Sequence, residues 1–162
     1  MDNQLVEWLE QYQIEYKLHT HPAVFTIEEA KKHCSHIPGL HCKNLFLKDI
    51  KRRQYFLITI PAEKRLDFKE FAKKVNLPFV KLADDNELQN LLGLSKGAVS
   101  PLGLINDVSK KVAYYIDKEV FQADRVTFHP NINTETLELS KEAYHQMIKC
   151  TGNKFIVDNF GS

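Results

Sequence analysis

The segment GLSKGAVSPLG, residues 93–103, has the composition of a loop that lets a ligand approach the main chain closely. Successive backbone N–H groups in such a loop can bind an anion or a developing oxyanion. A simple turn between a helix and a strand uses the same residue types and is more common. The composition alone therefore favours a turn and leaves an anion-binding role open.

Two side chains, those of Lys43 and His129, could supply a positive charge or transfer a proton in a reaction. Lys43 stands beside Asn44 at the head of the apolar segment 45–47, which could direct its ammonium group into a cleft, although most lysines face solvent. His129 follows residues 125–128 and precedes Pro130, where an imidazole can act as an acid, a base or a hydrogen-bond donor, or can complete a turn. Sequence order shows no Ser/His/Asp or Cys/His pairing.

Histidines and cysteines are frequent in the first part of the chain, at positions His19, His21, His33, Cys34, His36, His41 and Cys42. A structural zinc site needs paired Cys or His residues at both ends of a loop, and this spacing does not supply them. The chain also lacks the GxGxxG and Walker A sequences of nucleotide-binding loops. We therefore expect neither a metal ion nor a cofactor.

Basic side chains are grouped rather than evenly mixed with acidic ones. The group consists of Lys48, Lys51, Arg52, Arg53, Lys64, Arg65, Lys69, Lys73 and Lys74. A solvated hairpin tip and helix face is the ordinary explanation of such a group. The functional alternative is a local surface that follows the phosphates of a nucleic acid.

Hydrophobic periodicity and capping residues predict the elements that must position these side chains. Helices are predicted over residues 2–12, 27–34, 67–75, 84–92 and 140–149. Strands are predicted over residues 16–19, 44–47, 54–60, 78–82, 103–105, 112–116, 125–128, 134–139 and 154–157. Because hairpins are mixed with helices without strict alternation, the pattern predicts a mixed α/β layout rather than a Rossmann fold.

Composition narrows the class of protein. With 162 residues, a formal net charge of +1 and 43% hydrophobic residues, we expect one globular domain over residues 1–162. No apolar run is long enough for a membrane span, and the N-terminus lacks the pattern of a secretory signal. Three scattered cysteines favour a reducing cytoplasm over a disulfide scaffold. The near-zero charge excludes a protein that coats nucleic acid through bulk positive charge.

Four short motifs follow one another along the chain: HPAVFT at 21–26, KNLFLKD at 43–49, GAVSPLG at 97–103 with Asn106 and Asp107 after it, and FHPNINT at 128–134. In this order the chain resembles the YbaK/ProX family of aminoacyl-tRNA deacylases, and within it the prolyl-tRNA editing proteins. The resemblance runs from about Leu5 to Phe160. It implies a mixed β-sheet that curls toward a barrel and is flanked by helices.

The resemblance also implies roles for individual residues. The family's invariant lysine corresponds to Lys43, its Gly-x-x-x-Pro loop begins at Gly97, and its pocket histidine corresponds to His129, so these three are predicted to act in catalysis. The residues predicted to bind substrate are Phe25, Thr26, Asn44, Ala98, Val99, Ser100 and Pro101. Leu102 replaces a common phenylalanine of the family, which is a conservative difference.

The implied reaction is hydrolysis of alanine wrongly attached to proline tRNA. An aminoacyl ester is already activated, so positioning and charge stabilisation matter more than a strong nucleophile. Backbone N–H groups of residues 97–100 would stabilise the oxyanion formed when water attacks, and Lys43 would hold a phosphate or the reacting end. His129 would line the amino-acid pocket or orient water, and the free ribose hydroxyl could assist.

Specificity would come from pocket size. A synthetic site built for proline excludes alanine only weakly, because a missing methylene is worth about 1–3 kcal/mol. A second, smaller pocket could admit alanine and reject proline, and its expected walls are Phe25, Ile27, Val99 and Leu102.

The expected partners are the aminoacylated 3′ end of tRNA and prolyl-tRNA synthetase, with no membrane. Two alternatives stay open. One is a deacylase for another misacylated tRNA, such as Cys-tRNA(Pro) or a Ser/Thr ester. The other is a regulator that binds an aminoacyl group or nucleotide without turnover.

Overall fold

A computed structural model describes residues 1–49, 51 and 54–162, with the side chain of each except Ile27. Arg52 and Arg53 of the predicted basic group lie outside the described residues, as does the side chain of Ile27. The description below concerns the remaining residues.

The predicted helices form, and their first turns show why. The α-helices are α1 (Asn3–Gln11), α2 (Ile27–Cys34), α3 (Phe68–Lys74), α4 (Asp85–Leu92), α5 (Lys118–Gln122) and α6 (Lys141–Thr151). All but α5 begin after a side chain that accepts a first-turn backbone N–H, namely Asp2, Thr26, Asp67, Asp84 and Ser140. Such a cap satisfies a donor that the helix leaves unpaired. None of the helices in the described ranges is long and apolar enough to cross a bilayer.

The strands build one mixed sheet. They are β1 (Lys17–Thr20), β2 (Leu40–Asp49), β3 (Gln54–Pro61), β4 (Lys81–Leu82), β5 (Val112–Asp117), β6 (Arg125–Phe128), β7 (Glu135–Ser140) and β8 (Phe155–Asp158). Their order is β1-β7-β6-β2-β3-β5-β8, with β4 paired to β2. The pairs β2/β6, β3/β5 and β5/β8 are parallel, and the others are antiparallel. The predicted mixed α/β class is confirmed, and the sheet stays open between β1 and β8 over the described residues.

Strand β2 joins the two halves of the sheet. Its first residues, Leu40 and His41, pair with β6, and from Cys42 onward it pairs with β3. Lys43 and Asn44 therefore lie just after the point where β2 changes partner. Their positions along the sheet are fixed by ladders on both sides of this junction.

The sheet is buried on both faces. On β3, Leu57 belongs to the main core, which contains residues of α1, α4 and α6, whereas Phe56 and Ile58 belong to a second core that includes α3. Alternate residues of a strand point to opposite faces, so the two cores lie on opposite sides of the sheet. Phe71 and Tyr115 meet edge to face in the second core, with ring centroids 5.2 Å apart.

The predicted strand over residues 103–105 is wrong. Pro101–Asn106 forms a 3-10 helix instead, and Ser100 Oγ accepts the N–H of Leu102 at 3.1 Å to start it. Proline fixes the backbone for this first turn. Leu102 and Leu104 are fully buried in the main core, which explains why the segment resembled a strand. Leu102 is therefore a core residue and not the predicted wall of a pocket.

Candidate active site

A cavity of about 650 Å³ is lined by residues from all four sequence motifs. This volume lies within the range of small-molecule sites, about 300–1,000 Å³. The motif residues in the lining are Val24, Phe25 and Thr26, then Lys43 and Asn44, then Gly97 and Val99, and finally Phe128 and His129. Segments that are far apart in the sequence thus form the wall of one cavity.

Hydrogen bonds tie the first motif to the fourth. The Val24 N–H donates to the Asn133 carbonyl at 3.2 Å, and Asn133 Nδ2 donates back to the Val24 carbonyl at 3.2 Å. The His21 N–H donates to the Thr134 carbonyl at 2.9 Å. The chain before α2 is held in this way against the turn between β6 and β7, so Phe25 and His129 lie on one wall of the cavity.

Gly97 occupies a position that disfavours a side chain. Its φ is +90°, in the left-handed region that favours glycine. A Cβ atom there would lie 3.3 Å from Cδ1 of Phe25. The third motif therefore packs its main chain directly against the Phe25 ring, which stays 69% exposed.

The loop divides into residues that line the cavity and residues that support it. Gly97 and Val99 line the cavity, whereas Ala98, Ser100 and Pro101 are buried and do not. The Ala98 N–H donates to the Ser95 carbonyl at 3.1 Å, so it is already used within the turn. Among the described residues, the N–H groups of Gly97 and Val99 have no acceptor, which narrows the predicted oxyanion donors in the lining to these two.

The Lys43 ammonium group is partly buried and free of ion pairs to the described residues. Partial burial lowers its pKa, the nearby Arg65 lowers it further, and Glu63 opposes both effects. Glu63 is paired with Lys31 at 3.2 Å instead. A lysine in this situation is available to a negatively charged or polar group of a ligand.

The surroundings of His129 favour a neutral imidazole with one lone pair available. Its Nδ1–H donates to the Glu135 carbonyl at 2.9 Å, and because a carbonyl only accepts, the proton must be on Nδ1. Burial lowers the His129 pKa below 6.5, this hydrogen bond opposes the effect, and the nearby His21 lowers the pKa further. Nε2 has no partner in the described part of the chain, so at pH 7 it can accept a hydrogen bond.

The thiols of Cys34 and Cys42 line the cavity, a position that was not predicted from the sequence. Burial raises the pKa of Cys42 to about 12 and also raises the pKa of Cys34. Because the thiolate is the nucleophilic form, neither thiol is suited to covalent catalysis at neutral pH. Within the described ranges, no three His, Cys, Asp or Glu residues are grouped to hold a metal ion.

Sequence reasoning also missed two threonines of the lining. Thr127 on β6 and Thr136 on β7 are nearly inaccessible, and Thr136 Oγ1 lies 2.8 Å from Nε2 of His21. For Thr127 the available signal was its place between the apolar residues Val126 and Phe128 of a strand. Thr136 lies between Glu135 and Leu137, so the sequence pattern offered no such signal for it.

The comparison with protein families decides the nature of the site. Residues 21–147 match the model of the aminoacyl-tRNA editing domain, a span that contains all four motifs. The chain belongs to the aminoacyl-tRNA editing domain family. The resemblance predicted from the motifs is thereby confirmed, and so is the prediction of an aminoacyl-tRNA deacylase.

Individual members of the editing family match most of the chain. The prolyl-tRNA editing protein ProX of Acetoanaerobium sticklandii is 37% identical over 147 residues, which cover 91% of this chain and 90% of that protein. The prolyl-tRNA synthetase associated domain-containing protein 1 of Mus musculus is 34% identical over 144 residues, 86% of this chain and 85% of that protein. A crystal structure described as a candidate trans-editing enzyme for prolyl tRNA synthetase shares the fold, with a TM-score of 0.76 at 19% identity over 100% of this chain and 99% of that one.

Proposed function

We propose that this editing enzyme hydrolyses alanine from mischarged proline tRNA, acting in trans after prolyl-tRNA synthetase has made the error. The observation that carries the proposal is that one cavity is lined by Lys43, Gly97, Val99 and His129. The Lys43 ammonium group and the N–H groups of Gly97 and Val99 have no partner among the described residues, and burial of His129 favours its neutral form. The names of the bacterial and mouse relatives, which both contain prolyl-tRNA, support the choice of tRNA.

The reaction needs no protein nucleophile. Water adds to the ester carbonyl, the carbonyl oxygen becomes an oxyanion, and the bond to the ribose oxygen then breaks. The proton lost by the water ends on that ribose oxygen, which leaves free alanine and uncharged tRNA. The N–H groups of Gly97 and Val99 and the Lys43 ammonium group stabilise the oxyanion, which is the main demand of such a reaction.

His129 contributes through its free Nε2. A neutral imidazole nitrogen accepts a hydrogen bond from the attacking water or from the α-ammonium group of the amino acid. In either case it orients the reacting end rather than removing a proton in the rate-limiting step. The role requires the neutral form, which the buried setting of His129 favours.

The cavity as a whole is larger than an alanyl group, so the amino acid and the terminal adenosine share it. Discrimination against proline then depends on its inner wall, where added ring atoms would overpack. The test is a set of tRNAs charged with alanine, cysteine, serine, threonine or proline, with release of each amino acid measured under single-turnover conditions. Fastest release of alanine from proline tRNA is the expected result.

The same measurement separates the alternatives. Faster release of cysteine, serine or threonine would assign another misacylated tRNA as substrate. Stoichiometric binding without cleavage of any ester would favour a regulator and contradict the proposed hydrolysis.

The activity of the enzyme should have an acid limit set by His129. Because burial lowers the pKa of this histidine below 6.5, the neutral form persists at pH 7 and is lost only at lower pH. We expect kcat/KM to be level near neutral pH and to fall in acid, with the fall at lower pH than a solvent-exposed histidine would give.

The control for this limit is His129→Gln, which retains a hydrogen-bonding side chain that does not titrate. Its kcat/KM is expected to be lower at pH 7 and to lack the acid limb. An identical acid limb in His129→Gln would assign the limit to another group.

Phe25 is expected to support the terminal adenine. Its ring is 69% exposed while packed against Gly97, which is suited to stacking with a base. Loss of a base–aromatic stack costs about 1–3 kcal/mol, so Phe25→Ala should raise KM roughly tenfold with a smaller effect on kcat. Phe79 is 55% exposed outside the cavity lining, and Phe79→Ala should leave KM unchanged. Equal KM values in both variants would contradict the stacking role.

A further inference from the structure

A chain of buried hydroxyl groups leads from helix α6 to the cavity, and the mechanism above does not use it. Tyr144 on α6, Tyr114 on β5 and Thr59 on β3 are all inaccessible to solvent. The hydroxyl oxygens of Tyr144 and Tyr114 are 2.7 Å apart, and that of Tyr114 is 2.7 Å from Thr59 Oγ1. Thr59 Oγ1 donates to Oδ1 of Asn44, which lines the cavity.

The sheet register brings these groups together. Asn44 and Thr59 are opposite residues of the antiparallel pair β2/β3, so their side chains emerge on the same face. Tyr114 is opposite Leu57 in the parallel pair β3/β5, from which its ring reaches the neighbouring Thr59. The surrounding core is apolar, and a buried hydroxyl there is tolerated only when its hydrogen bonds are made.

The direction of the chain is fixed by counting protons. Each hydroxyl has one proton to donate. With Asn44 Oδ1 as the final acceptor, Thr59 donates to Asn44, Tyr114 donates to Thr59, and Tyr144 donates to Tyr114. Burial raises the pKa of both tyrosines, so both remain protonated donors at neutral pH.

The hydroxyl chain determines how the Asn44 amide is oriented at the cavity wall. Because Oδ1 of Asn44 is occupied by Thr59, the amide cannot turn without breaking the chain. Its Nδ2 then presents two N–H donors, which have no partner among the described residues, at the position of Asn44 in the lining.

We propose that Thr59, Tyr114 and Tyr144 are positioning residues, which hold the Asn44 amide so that Nδ2 donates to an acceptor oxygen of the aminoacylated ribose. The inference rests on the proposed deacylation, since it names the reacting end as the ligand of this amide. The ester oxygen of the ribose gains negative charge as its bond to the carbonyl carbon breaks. A donor already directed at that oxygen therefore stabilises the transition state more than the bound substrate.

The first test compares two substitutions of one residue. Thr59→Val keeps the shape and removes the hydroxyl, whereas Thr59→Ser keeps the hydroxyl. Thr59→Val should lower kcat for alanine release roughly tenfold, with KM changed less than about twofold, because the amide is no longer oriented. Thr59→Ser should retain kcat. Equal losses of kcat in the two variants, or none in Thr59→Val, would overturn the proposal.

A second readout does not depend on the reaction. The side-chain NH2 signals of Asn44 in a ¹⁵N-correlated NMR spectrum should be single and sharp in the wild type and in Thr59→Ser. They should broaden or double in Thr59→Val, where the amide samples two orientations. If no charged tRNA is cleaved, the proposed function fails, while this spectrum still decides whether the hydroxyl chain orients Asn44. Unchanged signals in Thr59→Val would overturn the positioning role.

A matched control removes a buried threonine hydroxyl elsewhere. Thr151 is nearly inaccessible at the end of α6, and its Oγ1 donates to the Ile148 carbonyl at 2.7 Å. Thr151→Val should lower stability without changing kcat or the Asn44 signals.

If Thr59→Val does not fold, Tyr144→Phe tests the far end of the hydroxyl chain. This variant should lower kcat about threefold and broaden the Asn44 signals. Wild-type kcat and signals in Tyr144→Phe would contradict the proposal.

Discussion

Replacing Lys43 by alanine is expected to lower kcat/KM for alanine release roughly 100-fold or more, because a preorganised donor to a developing oxyanion is lost. The position of Lys43 is set by β2, opposite Ile60 of β3, and its ammonium group makes no ion pair with a described residue. The fold partly removes this cation from water, and this partial burial together with the nearby Arg65 lowers its pKa. The measurement is single-turnover release of alanine from Ala-tRNA(Pro).

Lys81→Ala is the control for charge. Lys81 lies on the short edge strand β4, exposed and outside the cavity lining. Its loss should change kcat/KM less than about twofold, since exposed charges far from the site are screened by salt. Circular dichroism should show that both variants are folded. Near-normal release by folded Lys43→Ala would remove this residue from the mechanism.

The second large effect is expected for Gly97→Ala. A side chain at a φ of +90° costs about 1–3 kcal/mol of strain. Its Cβ would also approach Cδ1 of Phe25 to 3.3 Å, so either the ring or the loop must shift. Because the Gly97 and Val99 N–H groups move with the loop, kcat/KM should fall roughly tenfold or more in addition to any loss of stability.

Gly152→Ala is the control for backbone strain, because Gly152 has a positive φ but does not line the cavity. Gly152 caps α6 with a φ of +76°. Among the described residues, a Cβ there would contact only the Lys110 side chain, at 3.5 Å from Cε. Both variants should therefore have a lower Tm, but only Gly97→Ala should lose activity per folded molecule. Equal activity of the two variants would show that the exact course of the Gly97 loop is unimportant for the reaction.

The parts of the fold that depend on neighbouring residues in the chain were predictable from the sequence. Asp84 and Gly93 delimit α4 through a capping box and a left-handed C-cap, and both signals are present in the sequence. The 3-10 helix Pro101–Asn106 was mistaken for a strand, because its burial is decided by packing and not by periodicity. The short helix α5 (Lys118–Gln122) was missed because it has no side-chain cap.

In the candidate site, the residues could be predicted from the sequence motifs, but the contacts between them could not. Lys43, Gly97 and His129 were selected only through the order of four motifs, since each residue alone fitted an ordinary surface or turn. The sequence could not reveal that the Ala98 N–H is used within its own turn, or that Tyr144 is connected to Asn44. Both facts depend on which strands and loops become neighbours. Non-local pairing of this kind leaves no regular pattern along the chain.

The central claim is that the aminoacylated 3′ end of tRNA binds in the cavity shared by Lys43, Gly97 and His129. A crystal structure with alanyl-adenosine in a non-hydrolysable amide form tests it most directly. The predicted result is the substrate carbonyl oxygen within hydrogen-bond distance of the Lys43 ammonium group and the Gly97 or Val99 N–H, with the adenine over Phe25. An analogue bound elsewhere on the protein, with this cavity empty, would contradict the claim.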